Sequence, residues 1–330
     1  MHEKLSLRGY PAKGRRAWIV LGAAVCGACS PGPPPDVRSL QLDLVEEWHY
    51  ALPPGFEVGG VAVGPRTTVV WSKATPEIVV RDSAGRWRHT LISGGSRLTG
   101  ASMPAAEGPV VLLDASGRIV SDASKWAGAR AFETMPTNPE DAELFAGRWL
   151  VSVSDTMTGM AVLAPGRDSN HIFFRYRTPI GPGRPVRDRG TLDVYGDELL
   201  VSSRFFPFTV FVLDSAGTVR SKFAPTLALP MRPDSARDLR ARLVSMSTVR
   251  LDRGYLQTLS DPFSLGRVLV IYDDSGNTVR ATKIDVPMSV VASYPAERRL
   301  FAVRALETQE VVAYRWRWAA NPSTDRNPSR

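Results

Sequence analysis

Thiols are almost missing from this chain, whose 330 residues hold two cysteines, Cys26 and Cys29, and none after them. Beyond residue 29 there is no partner for a disulfide and no thiolate for a metal site, so the body must be held together by its core. Histidine is nearly as scarce. His2, His49, His89 and His171 show no His-x-x-x-His spacing and no two-His-plus-carboxylate pattern, which argues against transition-metal catalysis and leaves each a structural role. A Gly-x-Ser-x-Gly elbow and a Walker-type glycine loop are both lacking, and serines without a positioned base are turn formers. Asn is sparse outside Asn138, Asn170, Asn277 and the tail. No catalytic residue, cofactor or metal is therefore expected.

Positive charge is less abundant on the body than the total suggests. The chain carries +8, but Lys4, Arg8, Lys13, Arg15 and Arg16 against Glu3 place +4 of it in residues 1–28, and Arg326 and Arg330 against Asp325 sit in the tail. A mildly basic remainder is no nucleic-acid signature. With 43% hydrophobic residues, the body can build a sizeable core.

What is present begins with an address. The basic segment precedes the apolar run Ala17-Trp-Ile-Val-Leu-Gly-Ala-Ala-Val-Cys-Gly-Ala28, which has the length of a signal-peptide core and is too short to span a bilayer. Gly27-Ala28-Cys29-Ser30 and Pro31-Gly-Pro-Pro-Pro35 follow, the prolines forming a stiff extended leash. Small residues before a cysteine, with such a tether behind it, resemble the lipobox of bacterial lipoproteins. Position 26 departs from that pattern, holding Cys where the family has an aliphatic residue. The resemblance implies lipidation of Cys29, export, and anchoring to the membrane through the lipid, at the outer membrane if the cell is Gram-negative; an ordinary cleaved signal is the alternative. Arg15-Arg16 also fits a twin-arginine signal, without the usual Ser before the pair and Phe-Leu after it.

A short phrase then recurs: Val-Val-Arg-Asp82-Ser-Ala-Gly85, Val-Leu-Leu-Asp114-Ala-Ser-Gly117, Phe-Val-Leu-Asp214-Ser-Ala-Gly217 and Val-Ile-Tyr-Asp273-Asp-Ser-Gly276. Asp at the first turn position accepts bonds from the turn backbone, and Gly at the fourth supplies positive φ, so each phrase is a β-hairpin. The glycines lie 32, 100 and 59 residues apart, and the degenerate Met160-Ala-Val-Leu-Ala-Pro-Gly166 splits the long gap into 49 and 51. Periods of that size mean repeated blades. Alternating runs around each hairpin give four short antiparallel strands per unit, with the turn between the third and fourth.

At this point the chain resembles the six-bladed, NHL-like β-propellers of bacteria, with Gly60-Val-Ala-Val63 opening the first unit. The resemblance covers residues 40–318. It implies an all-β fold, a six-bladed β-propeller of four-stranded antiparallel blades, preceded by a signal peptide (1–28) and a Pro-rich tether (29–39) and followed by a disordered tail (319–330). The second unit looks shortened, its Asp114–Gly117 turn one strand early. The last unit lacks a fourth strand, and the orphan alternating segment 40–48 is expected to close the ring by pairing with 310–318. A helix-like insertion, 233–243, separates the fourth and fifth units.

Binding in such propellers is expected on the loops between second and third strands and on the links between blades. In this chain those segments gather Arg184, Arg187, Arg189, Arg204, Phe205 and Phe206, and guanidinium forks beside aromatic rings suit a carboxylate, phosphate or acidic peptide. The same arginines also fit a solvated face paired with Asp188 and Asp197. Asp155 and Asp261, at matching loop positions, suit channel carboxylates for a cation or ordinary turn capping. Two functional classes follow: a lipid-anchored envelope propeller acting as a non-catalytic binding or scaffolding module for a protein, peptide or glycan; or a propeller hydrolase or lactonase with a cation at the channel mouth. The second needs a ring of inward acidic residues, and no repeated acidic position is visible in the expected inner strands.

Overall fold

A computed structural model of the chain describes residues 3–4, 40–92, 96–103, 110–121, 131–136, 139–155, 159–166, 169–177, 188, 190–227, 243–260, 267–284, 286–305 and 308–320. The signal core, the Pro-rich tether and the 233–243 insertion apart from Leu243 lie outside these. Two amino-terminal strands, β1 (Glu3–Lys4) and β2 (Leu40–Ala51), are followed by a four-stranded sheet, β3 (Val58–Val63), β4 (Thr68–Ser72), β5 (Glu77–Arg81) and β6 (Trp87–Leu91). A three-stranded sheet comes next: β7 (Leu98–Ser102), β8 (Val111–Asp114) and β9 (Ile119–Ser121). Three four-stranded sheets succeed it: β10 (Pro139–Phe145), β11 (Arg148–Asp155), β12 (Gly159–Ala164) and β13 (His171–Arg177); β14 (Thr191–Tyr195), β15 (Glu198–Ser202), β16 (Val210–Leu213) and β17 (Val219–Phe223); β18 (Val244–Arg250), β19 (Tyr255–Ser260), β20 (Arg267–Tyr272) and β21 (Thr278–Ile284). The last sheet joins the chain ends, with β22 (Met288–Tyr294), β23 (Arg299–Ala305) and β24 (Gln309–Ala320) beside β2 and then β1.

All pairing is antiparallel between neighbours in sequence except at the closure, where β2 runs against β24 with Leu42 opposite Trp318 and Leu44 opposite Trp316. The first strands of successive sheets lie side by side, β3 on β7, β7 on β10, β10 on β14, β14 on β18, β18 on β22 and β22 back on β3. Apolar clusters fill the wedges between consecutive sheets, from Trp71 and Leu112 in one wedge to Leu256 and Trp316 in another. This is a β-propeller, whose closure removes the open edges that a stack of small sheets would otherwise expose.

The recurrent turns explain the spacing. Asp82 Oδ1 accepts the backbone N–H groups of Ala84 and Arg86 at 2.9 Å each, and Asp114, Asp214 and Asp273 repeat the same bonds two and four residues on. These bonds hold the Asp82 and Asp214 carboxyls below their ordinary value. Gly217, at φ 85°, closes its turn where a Cβ would meet the Phe173 carbonyl oxygen at 2.6 Å.

Two expectations need correction. Six four-stranded blades were expected, but five sheets reach four strands or more and β7–β9 has three among the described residues. There the Asp114–Gly117 turn follows the second strand of its sheet, one strand early as expected for the shortened second unit, and 122–130 lies outside the described residues. The closing pair is also longer than 40–48 against 310–318, extending from Ala51 opposite Glu310 to Leu40 opposite Ala320.

Candidate functional site

Antiparallel order fixes two ends of every sheet: turns from first to second and third to fourth strands share one face of the ring, and turns from second to third share the other. The arginine and phenylalanine loop expected to bind, 204–208, belongs to the second kind. Its Phe206 is 51% exposed and stands edge-on to buried Phe208, ring centroids 5.9 Å apart. Arg204 is half-buried, and its backbone is what the fold uses: Arg204 N–H donates to Asp188 Oδ1 at 2.8 Å, and Ser245 N–H donates to the Arg204 carbonyl at 2.7 Å. Ser203 Oγ donates to the other Asp188 oxygen at 2.5 Å. Asp188 is thus a buried staple under this loop. Arg184, Arg187, Arg189 and Asp261 lie outside the described residues, and Asp155 ends β11, its backbone opposite Gly159. Of the expected face, the structure places Arg204, Phe205 and Phe206 together in one loop.

The opposite face holds the better-formed site. A cavity of about 420 Å³ opens between the last sheet and the first, at the β3–β4, β5–β6 and β22–β23 turns. Ring closure builds it, because Trp48 of β2 is laid against the first sheet. The Trp48 ring stands edge-on to Trp87 at 5.1 Å, and Tyr50 stacks on Trp87 at 4.2 Å. Across the cavity, Arg299 Nε contacts Glu47 Oε2 at 2.7 Å and Arg299 Nη1 contacts Glu297 Oε2 at 2.5 Å. Arg81, the last residue of β5, sets its guanidinium over the Trp48 ring, 4.8 Å from the centroid. Its Nε is buried without a hydrogen-bond partner. Burial, with the Arg299 charge close by, pulls the Arg81 guanidinium below the usual arginine value, against the opposing pull of Glu47 and Asp82. Thr68 and Ser83 add hydroxyls to the wall. A donor-rich, positively charged recess with an aromatic side is a setting for an anion.

A second feature lies on the inner wall. Asp141 and Glu143 share one side of β10, with buried Ala142 on the other. Asp193 lies on the adjacent β14. Asp141 Oδ2 accepts the Leu192 N–H at 2.8 Å and Oδ1 the Ala142 N–H at 2.9 Å. Asp193 likewise accepts the N–H groups of Arg250 and Val194. Each aspartate therefore caps a backbone donor on the innermost strand of the next sheet. Burial pushes the Asp141 carboxyl up to about 7 and Asp193 to about 8, and Glu143 rises well above its ordinary value through burial and the charges of both. The expectation of no repeated acidic position in the inner strands is overturned here. Among the described residues no group of three or more His, Cys, Asp or Glu could hold a metal ion; the two aspartates link neighbouring sheets through their bonds to the Leu192 and Arg250 backbones.

Sequence reasoning missed the cavity, yet one signal was available. The residue before the turn aspartate is Leu113, Leu213 or Tyr272 in three copies, each fully buried; in the first copy it is Arg81.

No family model matches the chain, and no curated protein does. Among solved structures, it is similar to a member of the DUF4221 family from Bacteroides vulgatus, at 10% identity over 86% of this chain and 99% of that one, with a TM-score of 0.53. It is also similar to the β-propeller domain of Cps50 (Swd1) from Myceliophthora thermophila, at 12% identity over 84% and 93%, TM-score 0.49. A third is virginiamycin B lyase from Staphylococcus aureus, at 10% identity over 82% and 87%, TM-score 0.48. At these identities the likeness is one of fold, and the fold is a β-propeller. Among the described residues no helix is long and apolar enough to cross a membrane.

Proposed function

We propose that this protein is an exported β-propeller, anchored to the cell envelope by lipid on Cys29, that serves as a non-catalytic binding module through the groove between its last and first sheets. The observation that carries the binding reading is that groove: a recess of about 420 Å³, within the ~300–1,000 Å³ range of ligand sites. The export and anchoring reading is supported by the basic, apolar and Gly27-Ala28-Cys29 succession and by the Pro31–Pro35 leash, with Ser30 compatible with outer-membrane sorting. On this reading β7–β9 is a reduced sixth blade of an NHL-like ring, supported by the unbroken succession of six first strands.

Two measurements test it. Mass spectrometry of the protein from membranes finds diacylglyceryl-modified Cys29 at the amino terminus, and Cys29→Ala releases the chain into the soluble fraction; retention of 1–28 in exported protein refutes the anchoring. A photo-crosslinking residue at exposed Ser83, in the groove wall, gives a discrete adduct in cells, whereas one at exposed Lys73, on the opposite face, does not. No adduct at position 83, or equal adducts at both, refutes the groove as the binding surface.

A further inference from the structure

We propose that the groove recognises a single carboxylate, borne by an acidic peptide side chain or chain end, on the Arg81 guanidinium, with the ligand's apolar neighbour against Pro65 and Phe301. This rests on the groove being a ligand site and adds what that ligand must carry.

The first support is the repeat itself. Three of the four Asp-x-x-Gly hairpins fill the position before the aspartate with a side chain of the wedge core, Leu113, Leu213 or Tyr272. Putting an arginine at that position forfeits apolar burial and desolvates a charge. The first hairpin accommodates it through two neighbours. Gly85, with φ 78°, lies so close that a Cβ would stand 3.0 Å from Arg81 Nη2, and Trp48 offers its ring to the guanidinium from the closing strand.

The second support is charge. Arg299 is matched by Glu47 and Glu297, and Arg315 by the second Glu47 oxygen at 2.7 Å. Arg81 makes no hydrogen bond or ion pair among the described residues, and its Nε is buried without a partner. Arg81 is therefore an uncompensated cation of this wall, which fits one negative charge. A guanidinium held over an aromatic ring has its direction fixed in advance, and its terminal N–H groups form the planar fork that a carboxylate meets with two parallel bonds. The Thr68 and Ser83 hydroxyls in the same wall can supply further donors, while Pro65 and Phe301 give the apolar contact.

The test uses the full mature chain and three probes: N-acetylphenylalanine, its uncharged amide, and inorganic phosphate. The indole N–H signal of Trp48, assigned by Trp48→Phe, is followed by NMR through each titration. The acid moves this signal saturably; the amide binds weaker by about tenfold or more, as does the acid to Arg81→Gln. Arg81→Lys keeps the charge without the fork and falls between. Should Arg81→Gln fail to fold, Ser83→Glu, on an exposed turn, puts a carboxylate into the groove and weakens the acid while leaving the melting temperature unchanged. Equal binding of acid and amide, no response to either, or displacement of the acid by equimolar phosphate overturns the proposal. An adduct at position 83 that persists with such a result would leave the groove a binding site for another chemistry; loss of both would remove the site itself.

Discussion

Raising the pH from 6 to 8 should soften this propeller, because of the carboxyls between the third, fourth and fifth sheets in ring order, β10–β13, β14–β17 and β18–β21. Asp193 moves from 3.8 to about 8 and Asp141 from 3.8 to about 7, so the folded state holds protons that the unfolded chain has already released. A carboxyl with a raised folded value contributes stability that is complete below its unfolded value and is lost as pH rises through the folded one. The window is therefore about pH 4 to 8, with the curve flat above. Each proton corresponds to about 1.4 kcal/mol per pH unit at full strength. All three side chains keep a fraction of their surface open, and water there screens the effect, so about 1 kcal/mol per unit for the group together is the working magnitude. For a chain of this size that is roughly 2–4 °C in Tm per pH unit. Scanning calorimetry at pH 6, 7, 8 and 9 checks it. Asp193→Asn keeps an oxygen for the Arg250 N–H but cannot ionise, so it should flatten the slope by about half and raise Tm at pH 8. Asp82 and Asp214, whose values are lowered, act only in acid below this window. A wild-type Tm that is constant or rises from pH 6 to 8, or an Asp193→Asn slope equal to wild type, refutes the reasoning.

Two further outcomes follow from the closure. A truncation that starts the chain at Trp48 removes the β2 residues opposite Trp316 and Trp318 and deletes Leu42 and Leu44, both buried, each worth about 1.5–3 kcal/mol; circular dichroism should show a lower, broader melt, and an unchanged cooperative transition would rule the pairing out as a stabilising element. Asp252→Ala strips the shared acceptor from the Trp316 and Trp318 indoles, at 3.0 and 2.9 Å, and the partner of Arg298 at 2.9 Å; the loss should be about 1.5–3 kcal/mol with altered tryptophan emission, and wild-type stability would contradict it.

Much of the fold was legible because it is written locally. An Asp that binds the N–H groups two and four residues ahead, and a Gly at positive φ, need nothing from the rest of the chain, so four hairpins could be placed from four phrases. The inner strand β10 could not. Pro139-Glu-Asp-Ala-Glu-Leu-Phe145 has a poor strand composition, and its acidic residues are tolerated only because Leu192 and Ala142 donate to Asp141 and because burial keeps protons in place. The Leu192 donor belongs to a sheet that begins some fifty residues later.

The groove shows the same separation more sharply. Trp48, Arg81 and Arg299 come from the first closing strand, the first complete sheet and the last sheet, and no spacing rule joins them before the ring shuts. Grouping loops by type led instead to the opposite face, where the Arg204 backbone serves Asp188 and Ser245 as structure. A repeat protein nevertheless supplies its own reference: copies of one turn share a geometry, so a residue that departs from the others at a core position bears a local burden that needs a local cause. Arg81 against Leu113, Leu213 and Tyr272 is such a departure, and the cause is visible only once Trp48 arrives from the other end of the chain. In a closed ring the seam is where sequence neighbours are fewest and unrelated segments meet, and there Arg81, without an ion pair among the described residues, has the room to act on something other than the fold.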